Sequence, residues 1–262
     1  MTADDLSSPA MGDPTTEQGN EQLWERNAAW WQSEYTLGAD PEYEDQILPL
    51  VARHLADARH VLDVGCGEGQ VARHLASLGV TVTGLDPIQS QMATAVARGG
   101  GPTYARARAD ALPCRSGAFD AVLVCLAIEH VDELEAAIRE VARVLEPGGR
   151  FVLVLCHPLL QTPGSGWIDD HIVGERYWRV GPYLDDDAAV DEVAPGVELR
   201  FIHRPLHRYV KAMSSAGLLI DDLEEPAPPT SFIDDTWGYE EAVTIPRVML
   251  IRARRPISRS SE

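Results

Sequence analysis

The chain has 262 residues, 45% of them apolar, enough for one large α/β domain with an embellishment or for two small ones. Asp plus Glu number 41 against 22 Lys plus Arg, and the formal net charge of −19 works against binding nucleic acid or an anionic membrane, which both need a basic face. No apolar run approaches the ~20 residues of a membrane span, and the acidic start MTADDLSSPAMGD is unlike a secretory signal, so the expected location is cytoplasmic.

Residues 1–20 are rich in Ser, Thr, Pro, Gly and acids and lack an apolar period, which predicts a disordered tail. From Glu21 the pattern turns helical: Trp24, Ala28, Trp31 and Tyr35 recur at i, i+4, i+7 and i+11, one face of a helix. A second helix follows Pro41 through Ile47, Leu50, Val51 and Leu55, so residues 21–58 read as an N-terminal helical lid. Apolar runs then alternate with amphipathic stretches. The runs are HVLDVG (60–65), VTVTGLD (80–86), TYARA (103–107), FDAVLVCL (119–126) and GRFVLVLC (149–156), with helical patterns at 71–79, 89–99 and 131–145. This alternation predicts βαβ units and a doubly wound, Rossmann-like, mostly parallel α/β sheet. It stops after Cys156 and resumes with a helix near 205–216 and strands near 217–223 and 246–253. The interruption, 158–204, is too long for an ordinary connection; it predicts an inserted substrate cap and leaves 59–157 and 205–256 as the main domain. Cys66, Cys114, Cys125 and Cys156 form no C-x-x-C pair, which predicts reduced thiols and no metal site.

The chemistry starts at HVLDVGCGEGQ (60–70), where a strand-like run breaks into glycines. A dinucleotide fingerprint is G-x-G-x-x-G/A, whose third small residue lets the helix pack on the strand. Here Gly65, Gly67 and Gly69 give G-x-G-x-G, and Gln70 stands where the small residue belongs. Asp63 would repel a pyrophosphate but suits a cofactor that carries ammonium and sulfonium charges. An NAD(P)-dependent oxidoreductase therefore fails at Asp63 and Gln70, whereas S-adenosylmethionine, which has no phosphate, fits. Two more acids fall at strand ends. Asp86, 21 residues after Gly65, can accept from both ribose hydroxyls, and Asp110 in ADALP can accept from the adenine amino group.

At VLDVGCGEGQ, VTGLDPIQSQM, ADALPCRSGAFDAVLVCLAIEHV and EVARVLEPGGRFVLV the chain resembles the class I S-adenosylmethionine-dependent methyltransferases, in the small-molecule group that includes the quinone-biosynthesis enzymes. These stretches span about residues 60–155; beyond them, CHP and FIHRPLHRYVKAMSSAGLLIDDLEEPAPP resemble one bacterial subgroup. The resemblance implies a seven-stranded sheet of order 3-2-1-4-5-7-6 with strand 7 antiparallel. It also implies that Asp63, Gly65, Cys66 and Gly67 line the methionine end of the cofactor, that Asp86 holds the ribose, and that Pro87 or Ile88 packs on the adenine. Asp110 and Ala111 would hold the adenine edge, the Leu126 backbone would face the sulfonium, and Tyr35 would reach the cofactor from the lid. For Ile88 and Leu126 ordinary core packing is the alternative.

Two histidines stand at strand C-terminal ends, where ligands bind in open α/β sheets: His130 in LAIEHV and His157 in CHP. Each is a candidate general base or, alternatively, a residue that caps a helix or orders a loop. Glu129 belongs either to the cofactor site or to the surface, and His203 and His207 either reach the pocket or play a structural part. Of the 6 Trp and 7 Tyr residues, Tyr104 alone lies between 60 and 156. Aromatics gathered in the covering segments predict an enclosed, largely apolar acceptor site walled by Trp31, Tyr35, Trp167 and Tyr183. LAIEH stands where base-amino methyltransferases carry Asn/Asp-Pro-Pro-aromatic, and it offers no carboxylate-rich magnesium site of the catechol type. The acids Asp169, Asp170, Asp185, Asp186 and Asp187 read as solvated loop rather than as a metal cluster. The expected activity is metal-independent methyl transfer from S-adenosylmethionine to O, N or C of a small, largely apolar metabolite. A non-catalytic S-adenosylmethionine-binding or regulatory protein is the alternative, and product formation separates the two.

Overall fold

A computed structural model describes residues 17–231 and 243–257. The tail expected over 1–20 lies outside those residues up to 16; from Glu17 the chain is helical, one turn earlier than the apolar pattern indicated. Asn20 explains the early start, because it is buried and makes a tertiary hydrogen bond described below.

Helix α1 (Glu17–Tyr35) is followed by a π-helical turn (Tyr43–Ile47) that runs into α2 (Leu48–Leu55). Then come β1 (His60–Val64), α3 (Gln70–Ser77), β2 (Thr81–Asp86), α4 (Gln89–Arg98), β3 (Thr103–Arg106), β4 (Phe119–Cys125), α5 (Leu134–Val144) and β5 (Leu145–Cys156). The segment after β5 holds α6 (Pro158–Gln161) and the strands β6 (Gly166–Asp170), β7 (Glu175–Arg179), β8 (Asp187–Ala194) and β9 (Val197–His203). Helix α7 (Leu206–Ser215), β10 (Leu219–Glu224) and β11 (Val248–Arg254) complete the described chain.

Seven strands form the main sheet in the order β3-β2-β1-β4-β5-β11-β10, with β11 antiparallel to both neighbours. This is the order that the resemblance implied. The centre of the sheet is covered on both faces, which is why β4 and β5 read as unbroken apolar runs rather than alternating ones. One face packs Leu62, Val122 and Leu153 against α5 and α7 through Ile138, Val141, Tyr209 and Met213. The other packs Val61, Leu123 and Val154 against α2 and α3 through Leu50, Val51, Ala72 and Leu75. The strand order reverses between β1 and β4, so the crevice at their C-terminal ends is the place this topology offers a ligand. Residues 158–204 add two antiparallel hairpins, β6–β7 and β8–β9, each a separate two-stranded sheet among the described residues. Among the described residues no helix is long and apolar enough to cross a membrane.

Candidate functional site

Beyond β1 the chain turns through Gly65 (φ +76°), Gly67 (φ +54°) and Gly69 (φ +83°), conformations that glycine adopts without steric cost. Gly65 also has no room for a side chain, since a Cβ there would collide with that of Ala127 just past β4. The end of β2 holds the turn in place. The Gly65 and Cys66 N–H groups donate to the Leu85 carbonyl at 2.7 and 3.1 Å. The Gly67 N–H donates to Asp86 Oδ2 at 2.9 Å, and the Ile88 N–H donates to Asp86 Oδ1 at 2.8 Å. Leu126, the first residue after β4, sits at φ +49°, a left-handed conformation that costs a non-glycine residue ~1 kcal/mol or more.

These turns floor a cavity with about 1040 Å³ of free space, part of it open to solvent. It gathers Asp63, Gly65, Cys66, Gly67, Asp86, Pro87, Ile88, Asp110 and Leu126 from the strand ends, together with Trp31 from α1 and His130 from the turn after β4. Sequence reasoning missed Asn20, Glu21, Trp24, Tyr43, Gln91 and Arg108, which line it too. Trp24 shares the predicted apolar face with Trp31; the polar residues gave no signal, because their partners are distant in sequence.

Helix α1 lies across the cavity and is tied down on every side. Asn20 Nδ2 donates to the His130 carbonyl at 2.7 Å, Gln32 Nε2 to Gln91 Oε1 at 2.8 Å, and Asn27 Nδ2 to the Glu198 carbonyl at 2.8 Å. Gln70 fastens its C-terminal end, donating to the Tyr35 carbonyl at 3.1 Å and accepting from the Leu37 N–H at 3.0 Å. That contact accounts for glutamine where a dinucleotide fold needs a small residue. Arg108 joins helix to loop: it donates to Glu21 Oε1 at 3.0 Å and to both carboxylate oxygens of Asp110 at 3.1 and 2.9 Å.

The electrostatics of the floor are unbalanced. Burial, and then the neighbouring Asp86, push the Asp63 carboxyl up to about 7, and its Oδ2 has no partner among the described residues. Burial lifts Asp86 to about 6 despite the two backbone N–H groups that favour its ionised form. Two buried acids with no guanidinium or ammonium bonded to them among the described residues suit a ligand that brings positive charge, and they oppose a pyrophosphate. The residues present therefore fit S-adenosylmethionine. Burial drives His130 down to about 4, so the ring is neutral at neutral pH. Its Nδ1 lies 2.7 Å from the Arg200 carbonyl, which can only accept; Nδ1 thus carries the proton and Nε2 is left as an acceptor.

Five predicted site residues lie elsewhere. His157 caps α6: its Nδ1 accepts from the Leu159 N–H at 3.2 Å and its Nε2 pairs with Glu225 at 2.8 Å, so it is committed to structure. Ala111 lies beyond the cavity wall, which Ala109 forms instead, because the chain turns back with the Ala111 N–H on the Arg108 carbonyl at 3.2 Å. Tyr35 stacks behind Trp31 with centroids 5.7 Å apart and supports that wall without forming it. Trp167 packs edge-on against Trp178 within the β6–β7 hairpin. Tyr183 packs against His203, and its hydroxyl accepts from the Leu206 N–H at 2.9 Å. Glu129, left open by the sequence, belongs to neither the cavity wall nor the surface: it is buried and its Oε1 accepts from the Cys156 N–H at 2.6 Å.

Comparison with known proteins agrees with this architecture. Residues 62–153 match the family model described as a methyltransferase domain. An uncharacterized methyltransferase from Synechocystis is 36% identical over 124 residues, 47% of this chain and 58% of that protein. A ubiquinone biosynthesis O-methyltransferase from Methylobacterium nodulans is 31% identical over 156 residues, 53% of this chain and 63% of that protein. The chain thus spans less than two thirds of the length of these curated relatives. An S-adenosylmethionine-dependent methyltransferase from Mesorhizobium loti has a solved structure that superposes with a TM-score of 0.67 at 30% identity, covering 80% of this chain and 96% of that one. With the glycine turn, the strand order and these matches together, the chain belongs to the S-adenosylmethionine-dependent methyltransferase family.

Proposed function

We propose that the chain binds S-adenosylmethionine in the cavity above β1 and β4 and transfers its methyl group, without a metal, to O, N or C of a small metabolite. The observation that carries this reading is Asp63, a buried carboxyl near neutrality with an unpartnered oxygen beside two glycines that leave the backbone open. Asp63 would hold the ammonium end of the cofactor, Asp86 the ribose hydroxyls, and Pro87 with Ile88 the adenine face. Asp110 would take the adenine amino group with lone pairs left over from its bonds to Arg108, since a carboxylate offers about four acceptor sites. When bound, the cofactor supplies a methyl group already activated by positive sulfur.

The chain's own contribution is then alignment, dryness and proton management. Helix α1 lays Trp24 and Trp31 along the cavity, apolar surface that would displace water around a bound cofactor and acceptor. Alignment of reacting atoms supplies roughly 7–11 kcal/mol in such displacements. His130 Nε2 would take a proton from an acceptor that must lose one, a role worth ~10²–10⁴-fold. The test is incubation with methyl-labelled S-adenosylmethionine and fractionated metabolite extract, read by mass spectrometry for a product heavier by the labelled methyl group less the hydrogen it replaces. Stabilisation by S-adenosylhomocysteine without turnover on any fraction would favour the non-catalytic binding protein instead. Thermal stabilisation by NADH but not by S-adenosylhomocysteine would overturn the cofactor assignment.

A further inference from the structure

Between Gly67 and Gly69 stands Glu68, which has no exposed surface and does not line the cavity. A carboxylate shut away from water is costly unless it is paired. Two guanidiniums pair with this one. Arg73 of α3 donates to Glu68 Oε2 at 2.6 Å and to the Glu68 carbonyl at 2.5 Å. Arg98, the last residue of α4, donates to the same carboxylate oxygen. Gly100 leaves room for the Arg73 stem, since a Cβ there would stand 2.8 Å from Arg73 Cδ.

Arg98 has a second partner. Its Nη1 donates to Thr36 Oγ1 at 3.0 Å, and Thr36 is the buried residue that follows α1. The Thr36 hydroxyl donates in turn to the Gln32 carbonyl at 2.7 Å. Glu68, Arg98 and Thr36 therefore form a continuous polar line from the glycine turn, past the end of α4, to the end of α1. On α4, Gln91 and Thr94 share a face with Arg98 at i, i+3 and i+7, and both bond to the Gln32 side chain, at 2.8 and 3.3 Å. Gln70 holds the same end of α1 from the other side of Gly69, through Tyr35 and Leu37. What this end carries bears on the cavity. Trp31, a little over one turn before Thr36, lies 3.8 Å from the place a Cβ on Gly67 would take.

We propose that Glu68 and Arg98 are positioning residues for the cofactor: they form a strut that sets the spacing between the glycine turn and the Trp31 wall, where the methionine end of S-adenosylmethionine would lie. The role rests on the methyltransferase reading. Neither side chain lines the cavity, so any effect on the ligand passes through the strut. The test is calorimetry with S-adenosylhomocysteine, paired with melting curves of the ligand-free proteins. Arg98→Met keeps the apolar stem and removes both bonds; affinity should fall ~10-fold, as one lost charge-assisted hydrogen bond allows. Thr36→Val keeps the side-chain shape and cuts the far end of the strut, and should cost about threefold. The double variant should bind no more weakly than Arg98→Met, because both substitutions break one line. Arg150→Met is the control: it removes a guanidinium bond to the His54 carbonyl away from the cavity, and should lower the melting temperature while affinity is unchanged. The strut is overturned if either folded variant binds as tightly as the unaltered protein, if their losses multiply in the double variant, or if Arg150→Met weakens binding as much as Arg98→Met. Thr36→Val decides by itself if Arg98→Met does not fold. Failure of S-adenosylhomocysteine to bind the unaltered protein would instead bring down the methyltransferase reading, and the positioning role with it.

Discussion

Between its unfolded value of 3.8 and its folded value of about 7, Asp63 binds more protons in the folded chain than in the unfolded one. The stability tied to this group is therefore full below 3.8 and is lost as pH rises through about 7. Each unit is worth ~1.36 kcal/mol, so the ligand-free protein carries a penalty on the order of a few kcal/mol at neutral pH. Asp63→Asn removes it. The melting temperature of the ligand-free variant is expected to exceed the parent's at neutral pH, with the gap closing toward pH 3.8, while affinity for S-adenosylhomocysteine drops. Melting curves that stay parallel across that range would contradict the assignment. His130 has the opposite sign: lowered from 6.5 to about 4, it makes stability rise with pH across that interval. As a base it is already neutral at pH 6.5, so kcat/KM of methyl transfer should show no limb there; a limb that disappears in His130→Asn would refute its burial as the controlling factor. Asp86→Ala removes acceptors for Gly67 and Ile88 as well as for the ribose. At ~1.5–3 kcal/mol for a charged hydrogen bond, calorimetry should find cofactor affinity weakened by roughly 10–100-fold or more. Asp63, Asp86 and Asp110 were legible because a strand end is a position that sequence pattern defines. His157 occupies such a position too, but Glu225, its partner 68 residues away, decides what the ring does.

Helix α1 was legible as an element because its aromatic face repeats at helical spacing, and the structure sets Trp24 and Trp31 of that face on the cavity. Its fastening was not legible. The contacts of Asn20 with His130, Gln32 with Gln91 and Gln70 with Tyr35 join polar residues 110, 59 and 35 positions apart, and no local pattern encodes such pairs. Polar bonds at a part-exposed seam are each worth only ~0.5–1.5 kcal/mol net, so a single substitution should loosen the seam measurably. Gln70→Ala cuts two of them at the C-terminal end. Hydrogen exchange within residues 17–35 should then quicken by about tenfold while the amides of β4 and β5 are unaffected. Unchanged exchange in α1 would mean that Trp31 and its stacked neighbour Tyr35, not the polar seam, hold the helix shut.

Across the whole molecule, the main sheet and the segment inserted after β5 were unequally readable for a physical reason. Strands covered on both faces must be apolar throughout, and β1, β4 and β5 announce themselves that way. The strands of the insertion lie in two-stranded hairpins with one side wet, and short runs such as WIDD and ERYWR carry little period; the aromatic distribution alone suggested Trp167 and Tyr183 as cavity walls, and neither lines the cavity above β1 and β4. The two hairpins also differ in what they do for the site. The β8–β9 hairpin positions His130: the Arg200 carbonyl accepts from its Nδ1. Just beyond β9, Arg204 is buried and donates to the carbonyls of Ile128, Val131 and Asp132, which clamps the turn that carries His130. Among the described residues the strands β6 and β7 pair with each other, and none of the hairpin's residues lines the cavity above β1 and β4. Replacing residues 167–178 with a short Gly-Ser turn should therefore leave affinity for S-adenosylhomocysteine unchanged. Arg204→Leu, in contrast, strands one buried and two part-buried carbonyl acceptors, the buried one at ~1–3 kcal/mol, and should weaken that affinity by at least about tenfold. Calorimetry on the two variants decides the matter. A loss of affinity from the hairpin replacement equal to that from Arg204→Leu would mean that the insertion acts on the cofactor site as one unit.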